Sequence, residues 1–151
     1  MTLLERRDGQ DGGSYLDLAE FISDQGARGH VAEDLAQLFR RLLFNILVGN
    51  RDDHFRNHGF IREASGWRLA PAFDVNPSLS KQDHAIAVNE QSTIGDVTLA
   101  LETAELYRLT RAQAQAMLQE VRGVVADWQE VAQHFGLTGV EVARMQGVMQ
   151  T

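Results

Sequence analysis

From Val31 to Leu47 the apolar residues Val31, Leu35, Leu38, Leu42, Ile46 and Leu47 recur three or four positions apart and so line one face of an α-helix that ends near Gly49. Directly after it, Asn50-Arg51-Asp52-Asp53-His54-Phe55-Arg56-Asn57-His58 holds a single apolar residue, Phe55, and cannot extend a buried face. The chain must therefore fold around a hydrophobic stalk and set a dense polar loop at its end. The longest apolar run, Leu42 to Val48, is interrupted by Asn45 and is far short of the roughly 20 residues that a membrane-crossing helix needs.

The rest of the chain is organised around that stalk. A polar, glycine-rich leader ends in Gly12-Gly13, and Ser14 is placed to cap a first helix carrying Leu18, Phe21 and Ile22, which Gly26 and Gly29 stop. After the polar loop, Gly59-Phe60-Ile61-Arg62 and Trp67-Arg68-Leu69-Ala70 flank the turn-like Glu63-Ala64-Ser65-Gly66 and predict a hairpin that Pro71 ends. The stretch from Phe73 to Asn89 is predicted to be irregular and to lie over the hairpin. A short helix is expected over Leu99 to Leu109. Thr110 then caps a longer one whose face joins Met117, Val121, Val124, Val125, Trp128 and Val131 up to Phe135-Gly136, and a last helix follows Thr138. The expected fold class is mainly α with one small β-hairpin, in a single domain over residues 1–151.

Composition narrows the functions open to such a domain. The formal charge of -7 argues against a surface that grips nucleic acid or anionic lipid directly. With no cysteine there is no disulfide frame and no thiol nucleophile, and the N-terminus has no signal-peptide pattern, so a cytoplasmic home is expected. Lys81 is the only lysine, which leaves one candidate for any chemistry that needs a positioned ammonium.

Chemistry concentrates in the polar loop. Asp52 and Asn57 have four residues between them, and a hairpin later Asp74 stands in Leu69-Ala70-Pro71-Ala72-Phe73-Asp74-Val75. Protein kinases use the same order: an Asp, four residues and an Asn in the catalytic loop, then a metal-binding Asp. Phosphoryl transfer needs a carboxylate to take the proton of an attacking hydroxyl and oxygen donors to hold Mg²⁺ against the triphosphate. A neutral Asn beside an ionised Asp suits a metal site that must also accept phosphate charge.

The segments 44–60 and 67–77, the first centred on Gly49-Asn50-Arg51-Asp52-Asp53-His54-Phe55-Arg56-Asn57-His58 and the second running Trp67-Arg68-Leu69-Ala70-Pro71-Ala72-Phe73-Asp74-Val75-Asn76-Pro77, resemble the C-terminal, helical lobe of HipA-like serine/threonine kinases, toxins of bacterial toxin–antitoxin modules. The likeness extends more weakly to Ser14–Glu20 and the late helices. It implies that Asp52 is the catalytic base, that Asn57 and Asp74 bind Mg²⁺, that His54 buttresses the loop, and that ATP is the phosphoryl donor to a protein substrate. The Asp-x-His-x-x-Asn arrangement is also similar to that of phosphoinositide kinases. A complete kinase of this kind has an N-terminal lobe with a phosphate-covering loop and a strand lysine. Gly9, Gly12 and Gly13 follow no strand, and Lys81 comes after Asp74, so that lobe is expected to be absent from this chain and the chain alone to be inactive.

Simpler roles stand beside these. Asp53 reads as a solvated surface charge, and His30, His58, His84 and His134 as ordinary residues without metal-ligand spacing. Arg51 and Arg56 are equally suited to contacting phosphate and to offsetting the neighbouring carboxylates. Trp67, Trp128 and the Met117–Trp128 stripe read as packing residues. Two other functions compete with the kinase lobe: a helical interaction module with a vestigial loop that binds a DNA-binding antitoxin, and a metal-dependent phosphohydrolase using Asp52, His54 and Asp74.

Overall fold

The computed structural model describes residues 13–80 and 83–150. The leader with Gly9 and Gly12, and the lone lysine Lys81, lie outside the described residues. In chain order the elements are α1 (Tyr15–Gln25), α2 (Val31–Leu47), a 3-10 turn (Phe55–Asn57), β1 (Phe60–Glu63), β2 (Gly66–Leu69), α3 (Val97–Glu102), a second 3-10 turn (Ala104–Tyr107), α4 (Arg111–Ala126), α5 (Trp128–His134) and α6 (Gly139–Gln146).

The stalk predicted from apolar spacing is α2, and it is the axis of the domain. It packs against α1, α3 and α4 together, so Phe39 and Leu43 are buried along with Leu35, Leu38, Leu42 and Ile46. Burial on several sides explains why the helix holds more core residues than one stripe supplies. Three helices begin with reciprocal capping boxes, Ser14 with Asp17, Thr110 with Gln113 and Thr138 with Glu141, each satisfying backbone donors that a helix start leaves open.

β1 and β2 pair antiparallel, Phe60 opposite Leu69 and Glu63 opposite Gly66, as the hairpin reading requires. The hairpin is docked on the α1–α2 connection. Ala27 donates its N–H to the Trp67 carbonyl at 2.8 Å, and the Phe21 and Phe60 rings meet at 4.6 Å between centroids. Asp34, buried near the start of α2, accepts from both Nε and Nη2 of Arg68 and from the Leu69 N–H. The hairpin is thereby fixed to the stalk at its second strand.

Three expectations are corrected. The irregular stretch after Phe73 does not settle over the hairpin: Ser78 N–H donates to Gly49, Ala85 N–H to Arg51, and Tyr15 N–H to Ala87. Ile86 and Val88 are apolar and find burial against the helical core, which the largely exposed β1 cannot offer. The helix expected over Leu99–Leu109 is two pieces, α3 and a 3-10 turn, closed by left-handed Arg108. The long helix after Thr110 breaks at Asp127. In α4, Ala114, Leu118, Val121 and Val125 centre the buried stripe, which leaves Val124 at its edge and 70% exposed; Val131 on α5 is 52% exposed. The chain's end returns to the stalk, where Gln150 N–H donates to Leu47 at 2.7 Å and Val148 packs where a Cβ on Gly49 would stand.

Candidate active site

The polar loop starts where α2 stops. Gly49 takes a left-handed backbone (φ 66) that most side chains resist, and the chain turns off the helix axis there. Asn50 N–H then donates back to the Asn45 carbonyl, so the loop leaves the stalk at a defined angle.

Inside the loop, neighbouring carboxylates point to opposite environments. Asp52 is exposed, whereas Asp53 is only 2% exposed. The surface-charge reading of Asp53 is wrong, and His58 is buried against it. Asp53 accepts hydrogen bonds from the Tyr15 hydroxyl of α1, from Asn45 Nδ2 of α2 at 2.8 Å, and from His58 Nε2 at 3.0 Å. Asn45 Nδ2 also donates to the Tyr15 oxygen, and its Oδ1 accepts from Asn50. On the far side of His58, Arg41 Nη1 stands 3.4 Å from Nδ1. A guanidinium only donates, so Nδ1 is the acceptor there and Nε2 carries the proton given to Asp53. Arg41 also donates to the Ala70 carbonyl at 2.7 Å, which ties the network to the end of the hairpin.

The electrostatics follow from this closure. Burial alone would raise the Asp53 carboxyl, but the donors His58, Tyr15 and Asn45 outweigh that cost and hold it below the usual carboxylate range. Burial, with Asp53 beside it, pushes the Tyr15 phenol well above its ordinary value, and burial lowers the Arg41 guanidinium. His84, also buried near this loop, is lowered by desolvation. One polar signal pointed to the network from the sequence: Asn45 interrupts the most apolar run of the chain, and a buried amide has to find partners.

Of the residues singled out from the sequence, Asn57 is buried in the 3-10 turn. Its N–H donates to the His54 carbonyl at 2.8 Å, and its side-chain amide reaches the Asp52 carbonyl at 3.4 Å. Asp52 and Asn57 are therefore joined across the loop by this bond. Asp74 is exposed and left-handed (φ 54), and its Oδ1 accepts from Asn76 at 2.9 Å. The hairpin closes with Ala70 N–H on the Gly59 carbonyl, and the Phe73 ring sits against Gly59, so the segment carrying Asp74 comes back to the exit of the loop. His54 is half-buried. Its Nε2 meets Arg56 at 3.3 Å, and its Nδ1 has no hydrogen-bond partner among the described residues.

Asn57 and Asp74 offer hard oxygen donors, the type Mg²⁺ takes, and two protein ligands suit an ion completed by phosphate and water. Among the described residues no group of three or more His, Asp or Glu is arranged as a protein-only metal cage.

The model of the HipA-like C-terminal domain matches residues 1–128. The chain belongs to this family. A Haemophilus influenzae protein named "Putative kinase" is 39% identical over 62 residues, which is 40% of this chain and 18% of that protein. The HipA chain in the complex of the Shewanella oneidensis MR-1 toxin–antitoxin system, with HipB and operator DNA, superposes with a TM-score of 0.68 at 18% identity, over 96% of this chain and 34% of its own. The mainly helical fold with its hairpin is that of a HipA C-terminal domain. This HipA-like domain spans about a third of that HipA chain and less than a fifth of the Haemophilus protein.

Proposed function

We propose that this HipA-like domain is the C-terminal catalytic lobe of a serine/threonine protein kinase, which in the full-length protein transfers the γ-phosphoryl group of ATP to a protein hydroxyl. The observation that supports the proposal is the anchored loop: Asp52 stands exposed, the Asn57 side-chain amide reaches its carbonyl at 3.4 Å, and Phe73, the neighbour of Asp74, packs against Gly59 at the loop's exit. On this reading Asp52 accepts the proton of the substrate hydroxyl as its oxygen bonds to the γ-phosphorus and the bridging bond to ADP breaks. Asn57 and Asp74 would hold Mg²⁺, which when bound would supply charge neutralisation for the phosphates. His54 supports the turn.

The phosphate-covering loop and its lysine belong to an N-terminal lobe, and the greater length of the relatives supports one in the full-length protein. The domain alone is therefore proposed to be inactive. The solved neighbour's assembly with HipB and DNA supports a DNA-binding antitoxin as partner, and the net charge of -7 favours indirect contact with DNA. A cytoplasmic location fits this partner; among the described residues no helix is long and apolar enough to cross a membrane.

The test is Asp52→Ala in the full-length protein, assayed by transfer of labelled phosphate from ATP. Transfer is expected to vanish with the circular dichroism spectrum unchanged, and retained transfer overturns the assignment. Tight antitoxin binding by a full-length protein that never transfers phosphate would favour the interaction-module reading.

A further inference from the structure

We propose that Asp53 is the positioning residue of the phosphoryl-transfer site, acting through Asp52 and Asn57 without touching substrate; this rests on the kinase reading above. The geometry begins with the alternation in the turn. Asp52 faces solvent and Asp53 faces the core, so the backbone rotation that seats one side chain aims the other. Asp53 is seated from three directions, by Tyr15 on α1, Asn45 on α2 and His58 beyond the 3-10 turn.

The bond between Asp53 and His58 closes a ring around the turn that contains Asn57. Within it, Asn57 is held by the His54 carbonyl and reaches the Asp52 carbonyl. His58 is itself braced, edge-on against the Tyr15 ring at 5.4 Å and by Arg41 at Nδ1. Fixing Asp53 and His58 thus fixes the entrance and exit of the segment, and both proposed site residues lie in or beside it.

An apolar cluster of the same volume would fill this space without the desolvation cost of a buried carboxylate, and such replacements are often neutral or stabilising. What it could not supply is direction. Hydrogen bonds set the rotation of the turn, whereas apolar contacts tolerate several. A near-attack geometry is sensitive at this level, since a misplacement of about 1 Å can cost on the order of a hundredfold in rate.

The test uses the full-length protein with Asp53→Asn, Tyr15→Phe and His58→Gln, alongside Leu118→Ala in α4 as a destabilised control remote from the turn. Expected for the three network variants is a fall in kcat of roughly tenfold to a hundredfold, with KM for ATP nearly unchanged and the loss unrelated to the fall in Tm. Leu118→Ala is expected to lose Tm and keep kcat. If the network variants keep kcat while Asp52→Ala abolishes it, the positioning role is overturned and the kinase reading survives. If kcat in all four variants simply tracks Tm, Asp53 is structural only and the proposal is likewise overturned. Should Asp53→Asn fail to fold, Tyr15→Phe decides the matter, since it leaves the carboxylate two donors. Retained transfer by Asp52→Ala marks failure of the kinase reading itself.

Discussion

Tyr15 and Asp53 are 38 positions apart and share a hydrogen bond inside the protein, so the first helix and the polar loop are tied through two groups that titrate at opposite ends of the pH range. Asp53 is held below the ordinary carboxylate value, which means that the unfolded chain takes up its proton first as pH falls. The stability this group contributes is complete above about pH 4 and is lost as pH drops through the folded value. Tyr15 is held above its ordinary value, so its contribution is complete below about pH 10 and falls as the unfolded phenol ionises. Urea midpoints measured across pH should show both limbs. Asp53→Asn should flatten the acid limb and Tyr15→Phe the alkaline one; a midpoint profile unchanged by either variant would contradict the buried pair.

Asp34 and Arg68 carry the second long-range tie. The Asp34 carboxylate is buried and takes Nε at 2.9 Å and Nη2 at 3.1 Å, a two-pronged fit that a guanidinium makes and an ammonium cannot. Asp34→Ala should cost about 2 to 3 kcal/mol. Arg68→Lys should lose a substantial part of that, because an ammonium gives up the paired Nε and Nη2 bonds and leaves Oδ2 with the Leu69 N–H alone. Chemical denaturation measures both, and a loss near zero for Asp34→Ala would mean that the hairpin is not anchored there.

Two glycines should respond oppositely to the same change. A Cβ on Gly66 would stand 2.6 Å from the backbone of Gly26, so Gly66→Ala must push the hairpin off the α1–α2 connection, at a cost of roughly 1 to 3 kcal/mol. Gly123 lies within α4 with open space around its Cβ position, and Gly123→Ala should stabilise by about 0.5 to 1 kcal/mol. Thermal denaturation gives both signs.

What the sequence revealed depended on how local the cause was. The stalk α2 and the hairpin follow from periodicity and turn residues, and the capping residues Ser14, Thr110 and Thr138 mark helix starts through side chains only three positions away. The break at Asp127 was hidden because the apolar spacing continues straight through it. The burial of Asp53 was hidden for a deeper reason. A carboxylate is buried only where donors meet it, and Tyr15 and Asn45 reach it through the packing of two helices that no local pattern records. Asp52, Asn57 and Asp74 were legible as a spacing of residue types, while the buried hydrogen-bond network around Asp53 was not.

The same distinction predicts where apolar residues matter. Leu42 is fully buried at the centre of the stalk, and Leu42→Ala should cost about 2 to 5 kcal/mol through lost contact and a residual cavity. Phe135, at 77% exposure, and Val124, at 70%, have apolar side chains largely in water. Phe135→Ser and Val124→Ser should each stay within about 0.5 kcal/mol of the parent. A large loss for Val124→Ser would restore the continuous buried stripe that helical spacing suggests.

Asp74 combines a backbone demand with a proposed chemical role, and the two can be separated. Its left-handed φ of 54 is one that Asp and Asn adopt more readily than Ala, because their short polar side chains bond locally, here with Asn76. Asp74→Asn should therefore keep the backbone and leave stability within about 0.5 kcal/mol, whereas Asp74→Ala should lose up to about 1 to 2 kcal/mol from the same conformation. Asp74→Asn removes the negative charge that Asp74 would bring to the proposed site beside neutral Asn57, so in the full-length protein the Mg²⁺ concentration giving half-maximal phosphoryl transfer should rise at least about tenfold, equivalent to 1.4 kcal/mol of metal binding. If Asp74→Asn leaves the Mg²⁺ dependence unmoved, Asp74 is a turn residue and the metal is held elsewhere.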